Sequence, residues 1–264
     1  MRLMFLGRAT LVVALACAAP TQARAQDMLS GVDLNQPAYS KAEMSRADIE
    51  ALLAGHGGGA ALDLSGKALN GLDLSGLDLS GVNLRAARLN KARLAGARLD
   101  GAILDQAWLL EADLTGASLV GAHLFAAQMQ RARADGGDFS RARLAGDLTG
   151  ASLRGAIFDG ADLSADMKNQ SMGLMRVVLK SAVIEGAHFV GANLMSADLR
   201  YARAAGADFT RARLTDADAS GADFTGAVWT DAEVGRLDLD SARIDIASFK
   251  RLRDARNLAR AQIK

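Results

Sequence analysis

Between Leu64 and Phe249 a large apolar residue falls at every fifth position, usually with an alanine two residues before it. The first block runs in one phase through Leu64, Leu69, Leu74, Leu79 and onward to Leu144, with Met129, Ala134 and Phe139 among its later members. An α-helix needs apolar spacings of three and four and a strand needs two, so a strict five requires a backbone that turns a corner once per unit. A unit this short cannot bury its own apolar face, and the face is covered only when units stack into a solenoid. Composition agrees: hydrophobic residues make up 50% of the 264 residues and aromatics only 5%, so the core is built from Leu and Ala. The 27 glycines and 2 prolines suit a chain of many tight corners without long ordinary loops.

The beat slips twice. At Gly146-Asp147-Leu148 one residue is missing, read as the alanine, and the centres shift to Leu148, Leu153, Phe158 and Leu163. Leu174 then follows Leu163 by two units plus one residue, and the original phase returns through Leu179, Ile184, Phe189 and on to Phe249. A deletion offset by an insertion implies that register matters between stacked coils. The solenoid is thus expected over 60–249, with an irregular segment at 164–174.

The flanks read differently. Residues 1–25 have the pattern of a signal peptide: Arg2 and Arg8, an apolar run from Thr10 to Ala16, and Ala23-Arg24-Ala25 as a cleavage site before Gln26. The run is too short to span a bilayer. This predicts a periplasmic or secreted protein without an integral membrane segment after signal removal. Cys17, the single cysteine, follows Ala14-Leu15-Ala16 and raises lipoprotein anchoring as an alternative, although Ala14 stands where Leu is usual. Cleavage after Ala25 removes three of the 31 basic residues, leaving 28 against 30 acidic ones and no cysteine, so neither disulfides nor strong nucleic-acid affinity is expected. Over 26–59, Ser40-Lys41-Ala42-Glu43 has capping-box spacing and precedes Ile49, Leu52 and Leu53, which predicts a helical cap before the glycines at 55 and 57–59. Leu252, Ala255, Ala259 and Ile263 predict a capping helix over 250–264.

Units such as Ala112-Asp113-Leu114-Thr115-Gly116, Ala161-Asp162-Leu163-Ser164-Ala165 and Ala222-Asp223-Phe224-Thr225-Gly226 resemble the A(D/N)LXX pattern of the pentapeptide repeat proteins. The resemblance implies an all-β fold, a right-handed quadrilateral β-helix with four units per coil and about nine coils, on the order of 40 Å long. It also implies that the central Leu or Phe and the preceding Ala point inward.

Counting by twenties then predicts which side chains stack. Phe189, Phe209, Trp229 and Phe249 would form an internal aromatic column, and Asp73, Arg93, Asp113 and Arg133 an outer ladder of alternating charge. Arg88, Arg93 and Arg98 fall on three successive faces and make no patch. Asp198, Asp218 and Asp238 share a column, the longest outer run of one sign in that register.

Catalysis finds little support. His56 precedes the array, and the offset between His123 and His188 is not a whole number of coils, so no two meet as a base and its orienting partner. No GxSxG, P-loop, paired-cysteine site or HExxH occurs, and the aspartates occupy the solvent-facing slot of the repeat. The chain is therefore read as non-enzymatic and without a cofactor, an exported scaffold or protein-interaction module with an unidentified envelope partner. Its expected contact surface is the irregular segment, specifically Asp166, Met167, Lys168, Asn169, Gln170, Met172, Met175 and Arg176, because breaks in a regular array concentrate binding residues. An alternative is copper binding or sensing through Met167, Met172, Met175 and Met195, since thioethers select Cu(I). A third is the DNA-mimic, topoisomerase-shielding role that the resemblance brings with it; that role needs a dense acidic surface, which a net charge near −2 does not supply.

Overall fold

The computed structural model describes residues 36–56, 61–164 and 176–264. Parallel backbone bridges link residues four units apart: Asp63 with Asn83, Ala68 with Arg88, Asp73 with Arg93, Asp78 with Arg98, and so on along the array. One bridge per unit and four units per coil give the coil four faces, and the bridging residue is the one before the apolar centre. Backbone hydrogen bonds hold each coil to the next; Leu69 N–H donates to Arg88 O at 2.7 Å and Arg88 N–H to Lys67 O at 2.8 Å.

The corner lies two residues after each centre. There the backbone turns left-handed, as at Gly116 (φ 64°) and Lys91 (φ 56°), and a turn bond such as Ala92 N–H to Leu89 O at 3.0 Å closes it. This explains the abundance of glycine after the centre. The centres and their alanines are buried almost without exception and form one continuous core.

The two slips have distinct structures. Gln128 bridges Asp147, one residue short of the regular spacing, and Gly146 O accepts from Val178 N–H as the alanine of an ordinary unit does. The missing residue is therefore the corner residue and not the alanine, whose slot Gly146 fills. A Cβ there would stand 2.5 Å from Ala127 O, so the shortened corner brings two backbones too close for a side chain. Across the second slip Asp147 bridges Val178, a coil longer than the regular one by two units and one residue. Leu179 takes the face after Leu163, and Leu174, expected as a centre, lies outside the described residues.

The aromatic column is longer downward and shorter upward than expected. Phe139, Phe158, Phe189, Phe209 and Trp229 stack with successive centroids 4.8–5.2 Å apart, and Phe224 meets Phe209 and Trp229 edge-on from the neighbouring face. Phe249 does not join it. It ends a short helix and is 37% exposed, because the chain leaves the regular coil after Ile244.

At the N-terminal end lie α1 (Pro37–Ser40) and α2 (Arg46–Gly55). The capping box forms at Ser45 and Asp48, not at Ser40 and Glu43: Ser40 ends α1, and Glu43 N–H donates to Ala68 O at 2.8 Å. Ile49 of α2 is fully buried against the first coil and closes the core, while Arg46 donates to Asp73 O and Ser75 O.

The helix expected over 250–264 does not form. After β1 (Arg243–Ile244) and α3 (Ile246–Phe249) come turns, a 3-10 turn at Leu258–Arg260, and β2 (Gln262–Ile263), which pairs in parallel with β1. Arg256 N–H donates to Leu237 O at 2.8 Å and Gln262 N–H to Ala242 O at 2.7 Å. The last regular coil exposes a row of carbonyls that need donors, and a short isolated helix is too marginal to compete with that edge.

Candidate functional site

One face gathers most departures from regularity. Its bridging column runs Ala68, Arg88, Trp108, Gln128, Asp147, Val178, Asp198, Asp218, Asp238 and Arg256. The chain re-enters the array at its edge after the insertion, through Arg176 and Val177. Of the expected contact residues, Asp166, Met167, Lys168, Asn169, Gln170, Met172 and Met175 lie outside the described residues. Arg176 is half-buried, with Nη2 3.9 Å from the Asp198 carboxylate.

The register does stack Asp198, Asp218 and Asp238. Asp198, however, is fully buried although it points away from the core, and Arg200 clamps it with Nε donating to Oδ1 at 2.8 Å and Nη2 to Oδ2. Burial pushes this carboxyl up, but the Arg200 hydrogen bonds and the charges of Arg200 and Arg176 outweigh it and hold the group below its ordinary value. Arg200 also reaches Asp218 at 3.7 Å, and Asp238 accepts from Asn257 Nδ2 at 2.8 Å. Arg200 thus ion-pairs the first two acids of the column, and a neutral amide holds the third. The signal of this pairing in the sequence is Arg200, two residues after Asp198, which counting by twenties overlooks.

The alternating ladder keeps its register but not all its pairs. Arg93 donates to Asp73 at 2.6 Å, whereas Asp113 accepts from the Thr115 hydroxyl and N–H at 2.6 and 3.1 Å. Other ion pairs join neighbouring coils at the same spacing: Lys91 and Arg131 on Glu111, and Arg236 on Asp216. Near the N-terminal end, Asn70 Oδ1 accepts from Asn90 N–H at 3.1 Å and Asn90 Oδ1 from Leu110 N–H at 3.2 Å, a buried amide ladder whose foot, Asn70 Nδ2, donates to Lys41 O.

Met195 is half-buried at an outer position, and its expected neighbour Met175 lies outside the described residues. Among the described residues no group of three or more His, Cys, Asp or Glu could hold a metal ion. His123 bridges Ile103 and Arg143, whereas His188 bridges Ile157 and Asp208, which places the two on different faces. Among the described residues no helix is long and apolar enough to cross a membrane.

A parallel ladder of four-unit coils around a Leu, Ala and Phe core defines a β-solenoid with five-residue units. A family model described as pentapeptide repeats matches in 8 copies, over residues 68–106, 109–146, 123–165, 174–211 and 192–228. The chain belongs to the pentapeptide repeat family. No curated protein matches it. Among solved structures it is similar to QnrB1, a plasmid-mediated fluoroquinolone resistance protein, at 17% identity and a TM-score of 0.57, covering 78% of this chain and 93% of that one. It is also similar to HetL, a pentapeptide repeat protein involved in heterocyst differentiation regulation in the cyanobacterium Nostoc, at 27% identity and a TM-score of 0.41, covering 75% and 96%. The likeness to QnrB1 shows the shared fold.

Proposed function

We propose that this chain is an exported, non-enzymatic protein-interaction module of the bacterial envelope, a right-handed four-sided solenoid of about nine coils. Its contact surface is the segment Asp166–Arg176, with the Asp198, Asp218 and Asp238 ladder beside it. The observation that carries this reading is the lengthened coil: Phe158 stacks on Phe189 at 4.9 Å, so the aromatic column continues across a coil two units and one residue longer than its neighbours. An interruption of an otherwise regular array supports a binding role for this segment, because such breaks concentrate binding residues. Export rests on the basic start, the apolar run and the Ala23-Arg24-Ala25 site.

Fractionation of the native bacterium, with mass spectrometry of the protein's N-terminus, tests the location. A mature chain starting at Gln26 in the periplasm or medium is expected. A full-length chain in the cytoplasm overturns export, and a lipid on Cys17 replaces the free protein with an anchored one.

A further inference from the structure

The face on which the chain re-enters the array at Val178 also carries, several coils away, an arginine with an unanswered donor. Arg88 is half-buried, and its Nε is sequestered from solvent without a hydrogen-bond partner among the described residues. The acids of the neighbouring coil are already engaged: Asp105 with Arg85 at 3.3 Å, and Glu111 with Arg131 and Lys91. One coil on, in the same bridging column, stands Trp108. Tyr39 of α1 lies flat against it, with ring centroids 5.6 Å apart and 8° from parallel.

Tyr39, Ala86, Arg88 and Trp108 together line a recess of about 360 Å³ on the outside of the solenoid. The solenoid itself does not require this arrangement. At several other bridging positions an Asp satisfies its own turn, as Asp73, Asp113 and Asp218 do, and the cross-coil arginines Arg93, Arg98 and Arg236 each hold a carboxylate. Arg88 makes no ion pair among the described residues; its Nε is shielded, so its terminal Nη groups are the donors that an incoming oxyanion meets, and the oxyanion neutralises a charge that the fold leaves unpaired. The aromatic wall adds selectivity, because a flat apolar body attached to that oxyanion is covered by Trp108 while its charge meets Arg88.

We propose that this recess binds a small aromatic carboxylate, with the carboxylate on the Arg88 guanidinium and the ring against Trp108. This site is separate from the contact surface at the insertion, and neither assignment depends on the other.

The chain has 2 tryptophans, so Trp229→Phe leaves Trp108 as the sole tryptophan emitter. In that background, titration with benzoate is expected to change Trp108 fluorescence saturably, with a Kd on the order of 1 mM. Benzamide, the neutral isostere, and inorganic phosphate, which has no ring, are each expected to bind at least about tenfold more weakly. Arg88→Gln is expected to weaken benzoate by a similar factor. If that variant does not fold, Arg88→Lys decides: it keeps the charge but loses the planar fork, and a loss of about threefold or more is expected. The assignment is overturned if benzoate gives no saturation up to about 50 mM. It is equally overturned if benzamide or phosphate matches benzoate, or if the folded Arg88 variant binds as tightly as the parent.

Discussion

Phe158 and Phe189 stack with centroids 4.9 Å apart and planes 3° from parallel, although the coil between them is longer than its neighbours by two units and one residue. The solenoid thus closes its core across the insertion as tightly as it does within the regular array. Removing 165–175 restores the spacing of an ordinary coil between Asp147 and its bridge partner Val178. The shortened protein is expected to fold with an unchanged circular dichroism spectrum and a melting temperature within a few degrees of the parent. Loss of cooperative unfolding would show that the insertion belongs to the core.

The aromatic column separates apolar burial from polar satisfaction. Phe209→Ala removes a ring stacked on Phe189 and Trp229 and is expected to cost about 3–5 kcal/mol in urea denaturation. Trp229→Phe is expected to change stability by no more than about 1 kcal/mol, since the indole Nε1 is buried without an acceptor among the described residues and its removal offsets the smaller ring. A large loss in the second variant would mean that Nε1 has an acceptor.

Two glycines distinguish conformation from contact. Gly116 sits at φ 64° with open space where a Cβ would stand, so Gly116→Ala is expected to cost about 1 kcal/mol through the backbone alone. Gly146→Ala meets Ala127 O at 2.5 Å and is expected to cost at least about twice as much. Equal losses would place the strain of the short coil elsewhere.

Arg200 neutralises a carboxylate that has no access to water. Arg200→Gln leaves the Asp198 carboxylate buried with the backbone N–H of residue 200 at 3.2 Å and Arg176 at 3.9 Å, and is expected to lose on the order of 3 kcal/mol. Adding Asp198→Asn to that variant is expected to recover most of the loss. Strict additivity of the two substitutions would show that they do not interact.

Acid is expected to unfold the molecule through its turns. Asp73 is held well below the usual aspartate range by Arg93 and by the Ser75 hydroxyl and N–H, and Asp78 is lowered by the Ser80 hydroxyl and N–H. A depressed folded-state value means that the stabilisation is full above the ordinary aspartate range and is lost as pH falls towards the folded values. The melting temperature is therefore expected to be level between pH 7 and about 5 and to decline below about pH 4. A midpoint of that decline near neutrality would point to histidine instead.

The repeat makes most of the fold legible because one unit's chemistry, an apolar centre with an alanine two before it, specifies one face of the coil. Counting by twenties places Phe189, Phe209 and Trp229 in one column and Asp73 beside Arg93. It fails where the chain stops obeying its own period. Phe249 keeps the phase in sequence, yet the free edge at Ala242 and Ile244 draws the tail into pairing and turns Phe249 outward. Gly146 reads as a corner residue in the sequence and fills an alanine slot in the fold. The burial of Asp198 depends on Arg200 and Arg176 converging from two coils, and the Arg88 recess on Tyr39 arriving from outside the array; neither is visible in a period.

If the insertion, and not a flat face, meets the partner in the envelope, contact should follow the position of a probe. Site-specific photocrosslinking in the native bacterium reads this directly, with the probe placed at Lys168 or at the exposed flat-face position Arg143. A discrete protein adduct from Lys168 in the envelope fraction is expected, and none from Arg143. An adduct from Arg143 alone, or none from Lys168, would contradict the role proposed for the insertion.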